Sequence, residues 1–543
     1  MGAQPADKLD LLGVAPRRYT FWMGLQVGQV LCEAARRSPN ACAVVDLGHV
    51  AEQRRELSYA ALHGMACEVA RVLAAHGVGR GDRVALVAEN SAEAAAAWFG
   101  VVYVGAAVVP MHLLSAATEL TERFLHAGVK VVLHDGPRSA LVSQALTGCA
   151  GVRAACLEKL DLLAMRELDP NAVRYPLDMS AADTAMVLYT SGTTGRPKGA
   201  AISHASLLLH TLLLLNHALG LDERSRVLCV LPLSHSYGCR LAMLAPFYAR
   251  ARVVIMPRFD ATRCLHVMRG EEITWFPGVP TMFTAIGQLG SDGQDISASA
   301  TPPQLRWALC AGAPLADETV RRAEAVLGVE VRQGYGMTEA TFSTMNAPPD
   351  RRVIGSVGKP AWGVELRIVD AEGSDVPQGQ TGQVLVRGPN VMTGYLLDAE
   401  ATAEALSDGW VHSGDVGVLD DEGRLRIVDR IKDLIIRGGY NVYPSEVENA
   451  LGAHPDVHDV AVIGRPDTFY GEEVVAVVVP RDRAALDVQA LHRFVAGRVS
   501  RTKLPREYAL VSQLPLGASG KIHKRTLRDQ LVAGQLKAEK ISG

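Results

Sequence analysis

One run of this 543-residue chain constrains its fold more than any other. Ala185-Met186-Val187-Leu188-Tyr189, an uncharged strand-like segment, leads straight into Thr190-Ser191-Gly192-Thr193-Thr194-Gly195-Arg196-Pro197-Lys198-Gly199. A buried strand that empties into hydroxyls, glycines and a lysine has the chemistry of a phosphate cradle. Glycines let backbone N–H groups converge on an anion, hydroxyls add donors, and the lysine adds charge. It is not a Walker loop, because from Gly192 the positions that need Gly-Lys hold Pro197-Lys198. On composition alone the run fits a flexible surface loop equally well.

The rest of the chain alternates strand-like and helix-like segments. Ser58 can cap a helix whose apolar positions Leu62, Met65, Val69 and Val72 follow three-and-four spacing, with Gly77 as its stop. Strands are predicted at Arg83 to Ala88, Lys130 to Leu133, Val227 to Leu231 and Arg252 to Met256, separated by amphipathic segments such as Ala316 to Leu327. This is the pattern of α/β folds with parallel-rich sheets. After Arg352 the short alternating runs Glu365 to Val369, Gln383 to Arg387 and Arg424 to Val428 predict an antiparallel sheet or small β-barrel. The last hundred or so residues return to α+β, with helices over Glu446 to Leu451 and Ala490 to Val499 and a strand over Val474 to Val479.

Fifty-five Lys and Arg against 58 Asp and Glu leave no field able to hold a polyanion, so nucleic acid is not expected as a partner. The nine cysteines all lie between Cys32 and Cys310 with no CxxC pair, which argues against disulfides or zinc. The start MGAQPADKLD lacks a signal peptide's apolar core, and a cytoplasmic protein is expected. Ala94 to Val109 carries no charge but is short for a membrane span; it reads as a buried helix turning at Gly105 into a buried strand.

Other candidate residues are weaker singly. Gly334-Tyr335-Gly336-Met337-Thr338-Glu339 places a ring, a hydroxyl and a carboxylate together, as a nucleotide and its metal would require, or else forms a tight turn. Gly312-Ala313-Pro314 reads as a strand end. Asp415 in Ser413-Gly414-Asp415 could accept from two ribose hydroxyls, although such a tripeptide is more often an ordinary turn. Asp429 to Asp433 crowds charges, as solvated connections do, and Gly438-Gly439 marks close-approach backbone. Lys521 stands on a loop of small residues, from which its stem could reach a cleft or simply solvent.

In their order, these blocks resemble the adenylate-forming superfamily of acyl- and aryl-CoA synthetases, carrier-protein adenylation domains and beetle luciferases, from about Leu57 to Arg528. The resemblance implies an AMP-forming acyl-CoA synthetase that uses ATP, Mg²⁺ and CoA, with an adenylation domain over 1–430 and a small mobile domain over 431–543. It implies that Thr190, Ser191, Gly192, Thr193, Thr194, Gly195 and Lys198 hold the β- and γ-phosphates. Gly312, Ala313 and Pro314 would line the adenine and Tyr335, between Gly334 and Gly336, would stack on it; Thr338 would bind phosphate and Glu339 would hold Mg²⁺. Asp415 and Arg430 would hold the ribose, Lys432 would be the hinge, Gly438, Gly439 and Tyr440 would border the CoA channel, and Lys521 would be the catalytic lysine. Two departures stand out: Leu516 and Gly517 replace a frequent basic residue and threonine, and Tyr440 stands where many CoA ligases carry glutamate.

For the acid, the resemblance places the gate residue at His235 and walls the pocket with Phe276, Val279, Met282, Gly312, Met337 and Ala340. No aspartate for an ammonium lies in Leu231 to Gly238, which disfavours an amino acid. The walls are apolar or small with no evident charged reader of a second polar group, which points to a fatty or other hydrophobic carboxylic acid, with an aryl acid as the alternative. An acyl-carrier protein in place of CoA, a luciferase-like oxygenase and a non-catalytic nucleotide binder are the competing readings.

Overall fold

The computed structural model describes residues 26–50, 53–160, 176–190, 197–289, 301–481, 486–515 and 522–541. Ser191, Gly192, Thr193, Thr194, Gly195 and Lys521 therefore lie outside the described residues.

Two large sheets dominate. The first runs, from edge to edge, Lys359–Pro360, Thr344–Met345, Val331–Tyr335, Trp307–Ala311, Trp275–Gly278, Arg226–Cys229, Arg252–Ile255, Cys42–Asp46 and Arg55–Ser58, parallel except at its margins. The second runs Gly394–Tyr395, Lys198–Ser203, Thr184–Thr190, Ala107–Pro110, Arg83–Val87, Val131–His134 and Arg153–Cys156, parallel from Thr184–Thr190 outward. Between them lie the helices Tyr59–Ala75 and Ala92–Tyr103, whose side chains share one core with strands of both sheets.

Local chemistry sets these helices. The Ser58 side chain accepts from Ala61 N at the first start and Ser91 from Ala94 N at the second. Leu62, Met65 and Val69 are buried, and the chain leaves the first helix at Gly77 with φ 76°. Ala92–Tyr103 is buried nearly all round, including Trp98 and Phe99, as expected of a helix with no polar face. It turns at Gly105, φ 82°, into Ala107–Pro110. Among the described residues no helix is long and apolar enough to cross a membrane.

The third sheet is an antiparallel half-barrel of Glu365–Val369, Gly382–Arg387, Trp410–Leu419, Leu406–Ser407 and Leu425–Arg430. From Ile435 on, a fourth sheet led by the long hairpin Val457–Asp467 and Gly471–Pro480 forms two cores from its own residues alone. Ser445 joins it to the half-barrel: its hydroxyl bonds Val428 O and its N–H donates to Asp429 Oδ2 at 2.8 Å.

Glu89 ties the two large sheets together. It follows the strand Arg83–Val87 and meets Arg138 at 2.7 Å, together with Arg258 and His49 from the ends of first-sheet strands. Burial would raise its carboxyl, but the bonds from Arg138, Arg258 and His49 outweigh that and hold it at about 2. A carboxyl lowered on folding stabilises the protein fully above its unfolded value, and this contribution is lost as pH falls from about 4.5 to about 2. Glu89→Gln is expected to cost about 3 kcal/mol at neutral pH and to flatten the acid limb of the stability profile, read by denaturant titration from pH 7 downward.

Candidate active site

Strand pairing places Lys198 directly opposite Thr190, so the two ends of the hydroxyl- and glycine-rich loop meet at one end of this strand pair. The ladder then continues outward: Gly394–Tyr395 pairs with Ala200–Ala201, and Leu396 N donates to Gly199 O at 2.7 Å. This register brings Tyr395 over Lys198, whose Nζ lies 5.3 Å from the ring centre. The Tyr395 hydroxyl donates to Glu339 Oε1 at 2.7 Å, and burial followed by the adjoining Glu339 carboxylate pushes this phenol well up from its ordinary range. Lys198, Tyr395 and Glu339 thus form one cluster from three distant segments.

Glu339 is held from behind, its carbonyl accepting from Met392 N at 2.8 Å, while no described residue donates a hydrogen bond to Oε2. One buried carboxylate with a free oxygen fits Mg²⁺, which usually takes one or two protein carboxylates and completes its shell with water and substrate phosphates. Sequence reasoning missed Tyr395. Its only signal is its pairing with Ala200, which no local pattern reveals.

A second cluster forms at the half-barrel. Gly334 and Tyr335 close the strand Val331–Tyr335, and the chain then turns, Met337 N donating to Ala340 O at 3.0 Å; Asp415 instead lies inside the strand Trp410–Leu419, where composition suggested a turn. Asp415 and Arg430 are cross-strand partners. Asp415 is 3% exposed; its Oδ2 accepts from Tyr335 OH at 2.7 Å and its Oδ1 meets Arg430 Nε at 3.0 Å. A carboxylate offers about four lone-pair positions, so two contacts leave room for a vicinal diol. Burial and then Asp415 push the Tyr335 phenol well up. Its ring packs into the half-barrel core beside Val384 and Leu425, largely covered. Five residues, Tyr335 to Glu339, join the two clusters.

Gly336 has to be glycine at this junction, because a Cβ there would lie 2.2 Å from Phe342 N. The close approach shapes a narrow cleft of about 30 Å³ lined by His235, Ser236, Tyr237, Ala311, Gly312, Gly336, Met337, Thr341 and Phe342. His235 opens the helical stretch that follows, its Nδ1 accepting from Tyr237 N at 3.2 Å. The floor is the edge-to-face pair Tyr237 and Phe342, 5.0 Å apart, with Tyr237 OH fixed on Leu309 O at 2.7 Å.

Of the expected pocket residues, His235, Gly312 and Met337 line the cleft, and Val279 lies just behind Gly312. Phe276 and Met282 lie in the core of the first sheet, and Ala340 in that of the half-barrel. Thr338 and Ala313 are half-buried and Pro314 is exposed. No charged side chain lines this cleft among the described residues; Arg240, one turn beyond Ser236, is fully buried.

In the C-terminal region Lys432 lies in the single 3₁₀ turn Ile431–Asp433 between the half-barrel and the fourth sheet. Gly438 and Gly439, φ 58° and 80°, form the two-residue turn of the hairpin Ile435–Arg437 and Tyr440–Val442, which requires positive φ at both positions. Tyr440 is exposed beside it. Beyond Lys521, the helix Lys524–Val532 is tied by Lys524 to Glu448 at 2.7 Å and by Arg528 to Asp433 at 3.1 Å.

Tyr395→Phe keeps the ring over Lys198 but removes the bond to Glu339. A rise of about tenfold in the KM for Mg-ATP, with a modest fall in thermal stability because the buried carboxylate loses a donor, is the expected result.

Comparison with known proteins gives a consistent picture. A family model described as AMP-binding enzyme matches residues 31–396, and one described as AMP-binding enzyme C-terminal domain matches 446–521. A feruloyl-CoA synthase from Amycolatopsis sp is 36% identical over 499 residues, covering 91% of this chain and 96% of that protein. ATP-bound MatB from Rhodopseudomonas palustris superposes with a TM-score of 0.84 at 31% identity over 93% of this chain and 99% of that one. The o-succinylbenzoate CoA synthetase MenE from Bacillus subtilis, solved with its acyl-adenylate intermediate, superposes at 0.81 with 29% identity over 95% and 99%.

Proposed function

The chain belongs to the AMP-binding enzyme family, and on that footing we propose that its cleft activates a compact, hydrophobic-bodied carboxylic acid for transfer to CoA. The enzyme is an acid–thiol ligase with ATP and CoA as substrates. The observation that supports the site assignment best is the Lys198–Tyr395–Glu339 cluster joined by five residues to the Tyr335–Asp415–Arg430 cluster, with the His235 cleft opening between them.

In the first step a carboxylate oxygen bonds to the α-phosphorus of ATP while the α–β phosphoanhydride bond breaks, giving acyl-AMP and pyrophosphate. In the second a thiol sulfur bonds to the acyl carbon, AMP leaves with the carbonyl–oxygen bond's electrons, and the thiol proton passes to solvent. Both partners in the first step are anions, so the protein must supply positive charge where they meet. Lys198 and the loop from Thr190 serve the β- and γ-phosphates, Asp415 and Arg430 the ribose, and Lys521 bridges attacking carboxylate and α-phosphate. Mg²⁺ on Glu339 would neutralise departing pyrophosphate.

Lys521 and an incoming thiol require the same approach, so the C-terminal region turns about Lys432 between the steps and brings the Gly438-Gly439 hairpin to the pantetheine arm. Its self-contained cores support this reading. The floor of Tyr237 and Phe342 favours a short or ring-bearing acid over a long chain. Free CoA rather than a carrier protein is the acceptor, because no extra segment interrupts Arg387 to Lys432. Incubation with acid, ATP and CoA tests this: thioester and AMP should form together. Acyl-AMP that accumulates without thioester would overturn the choice of acceptor.

A further inference from the structure

Arg240 is fully buried, and no carboxylate among the described residues pairs with it. Its Nη1 donates to the carbonyls of Ser206 and Leu207 at 3.2 and 3.0 Å and lies 3.3 Å from His210 Nδ1 and 3.4 Å from Thr211 Oγ1. Nε and Nη2 have no hydrogen-bond partner among the described residues. Those two N–H groups form the side edge of the guanidinium, the fork that meets a carboxylate in parallel bonds. Burial pulls the group down to about 10, so it stays charged at neutral pH.

His210 is equally buried. Arginine has no acceptor, so the imidazole takes Arg240's hydrogen at Nδ1 and carries its own on Nε2. That N–H makes no hydrogen bond of good geometry, although the Phe342 backbone lies beside the ring. The Thr341 hydroxyl is buried and unpartnered too. Arg240 follows Ser236 and Tyr237 by one turn, and those two residues line the cleft with Thr341 and with Phe342, whose backbone lies beside His210. The backbone is distorted at the same place. Wide π turns occupy Leu215–Leu219 and Arg240–Leu244, and Phe342 sits at φ 47°, costly for a bulky residue.

A buried charge with an open bidentate edge, one helical turn from a cleft-lining segment, calls for an anion. We propose that Arg240 reads a second carboxylate on the acid: the substrate is a short or ring-spaced diacid whose far carboxylate takes the Nε–Nη2 edge, with His210 and Thr341 as further donors, while the near carboxylate reacts beside His235. Five helical steps from His235 to Arg240 correspond to a rise of about 7.5 Å, the scale of such a spacer. This inference rests on the acid-activating reading above.

The test is pyrophosphate release with short and ring-bearing diacids, each matched with a monoacid carrying a methyl in place of the far carboxyl. The wild type is expected to favour one diacid over its match by about 10²–10⁴ in kcat/KM. Arg240→Met, which replaces a buried charge with an apolar chain of similar length and should fold, is expected to lose that preference while keeping the monoacid rate. Arg240→Lys keeps charge without the fork and should retain only part of it. In the absence of ATP, the preferred diacid should raise the unfolding temperature of the wild type and leave that of Arg240→Met unchanged. Equal kcat/KM within every pair, or a preference that survives Arg240→Met, would overturn the inference alone. Failure of every acid of either kind would overturn the activation reading with it.

Discussion

Replacing Lys521 with alanine is expected to abolish acyl-AMP formation, by at least about 10³-fold, while thioester formation from supplied acyl-AMP and CoA proceeds near the wild-type rate. The asymmetry follows from where charge accumulates. Only the first transition state holds a carboxylate against a polyphosphate, and on the proposed reading the Lys521 ammonium would lower that repulsion. In the second step a thiol attacks an already activated acyl group, and the lysine's place must be vacant. Rapid-quench measurement of each half-reaction checks this, and equal loss of both would contradict the division of labour.

Asp415→Asn is expected to raise the KM for ATP by about 10²-fold with a smaller fall in kcat. Asparagine keeps the shape but presents one acceptor oxygen where the carboxylate presents two, and the Tyr335 hydroxyl at 2.7 Å already claims one. Arg430 would lose its partner at 3.0 Å, and the ribose would compete for what remains. Because Asp415 is almost fully buried, thermal stability should fall as well; Tyr335→Phe, which frees an oxygen instead of removing one, is the discriminating control. Measured in pyrophosphate exchange at saturating acid, an unchanged KM for ATP in Asp415→Asn would remove this residue from the nucleotide site.

Local chemistry in the chain reached much of this architecture. The Ser58 cap, the buried helix ending at Gly105 and the strand Glu365–Val369 stand where spacing places them, because each depends on neighbours a few residues away. Asp415 shows the opposite case. Ser-Gly-Asp has turn chemistry, yet pairing on both sides draws it into a ten-residue strand with Gly414 at φ 68°. Tyr395 depends on pairing with a strand nearly two hundred positions earlier, and nothing nearby announces it. Arg240 hides for another reason: a lone arginine among Cys239, Leu241 and Ala242 suggests a side chain escaping to solvent, and only packing shows that it cannot.

The central claim is that this chain joins an acid to AMP before any thiol is engaged. Labelled pyrophosphate offered with ATP and no CoA measures that step in isolation. The label should enter ATP only when an acid is present, and Lys521→Ala should stop it. Exchange that ignores the acid, or requires CoA, would contradict the claim.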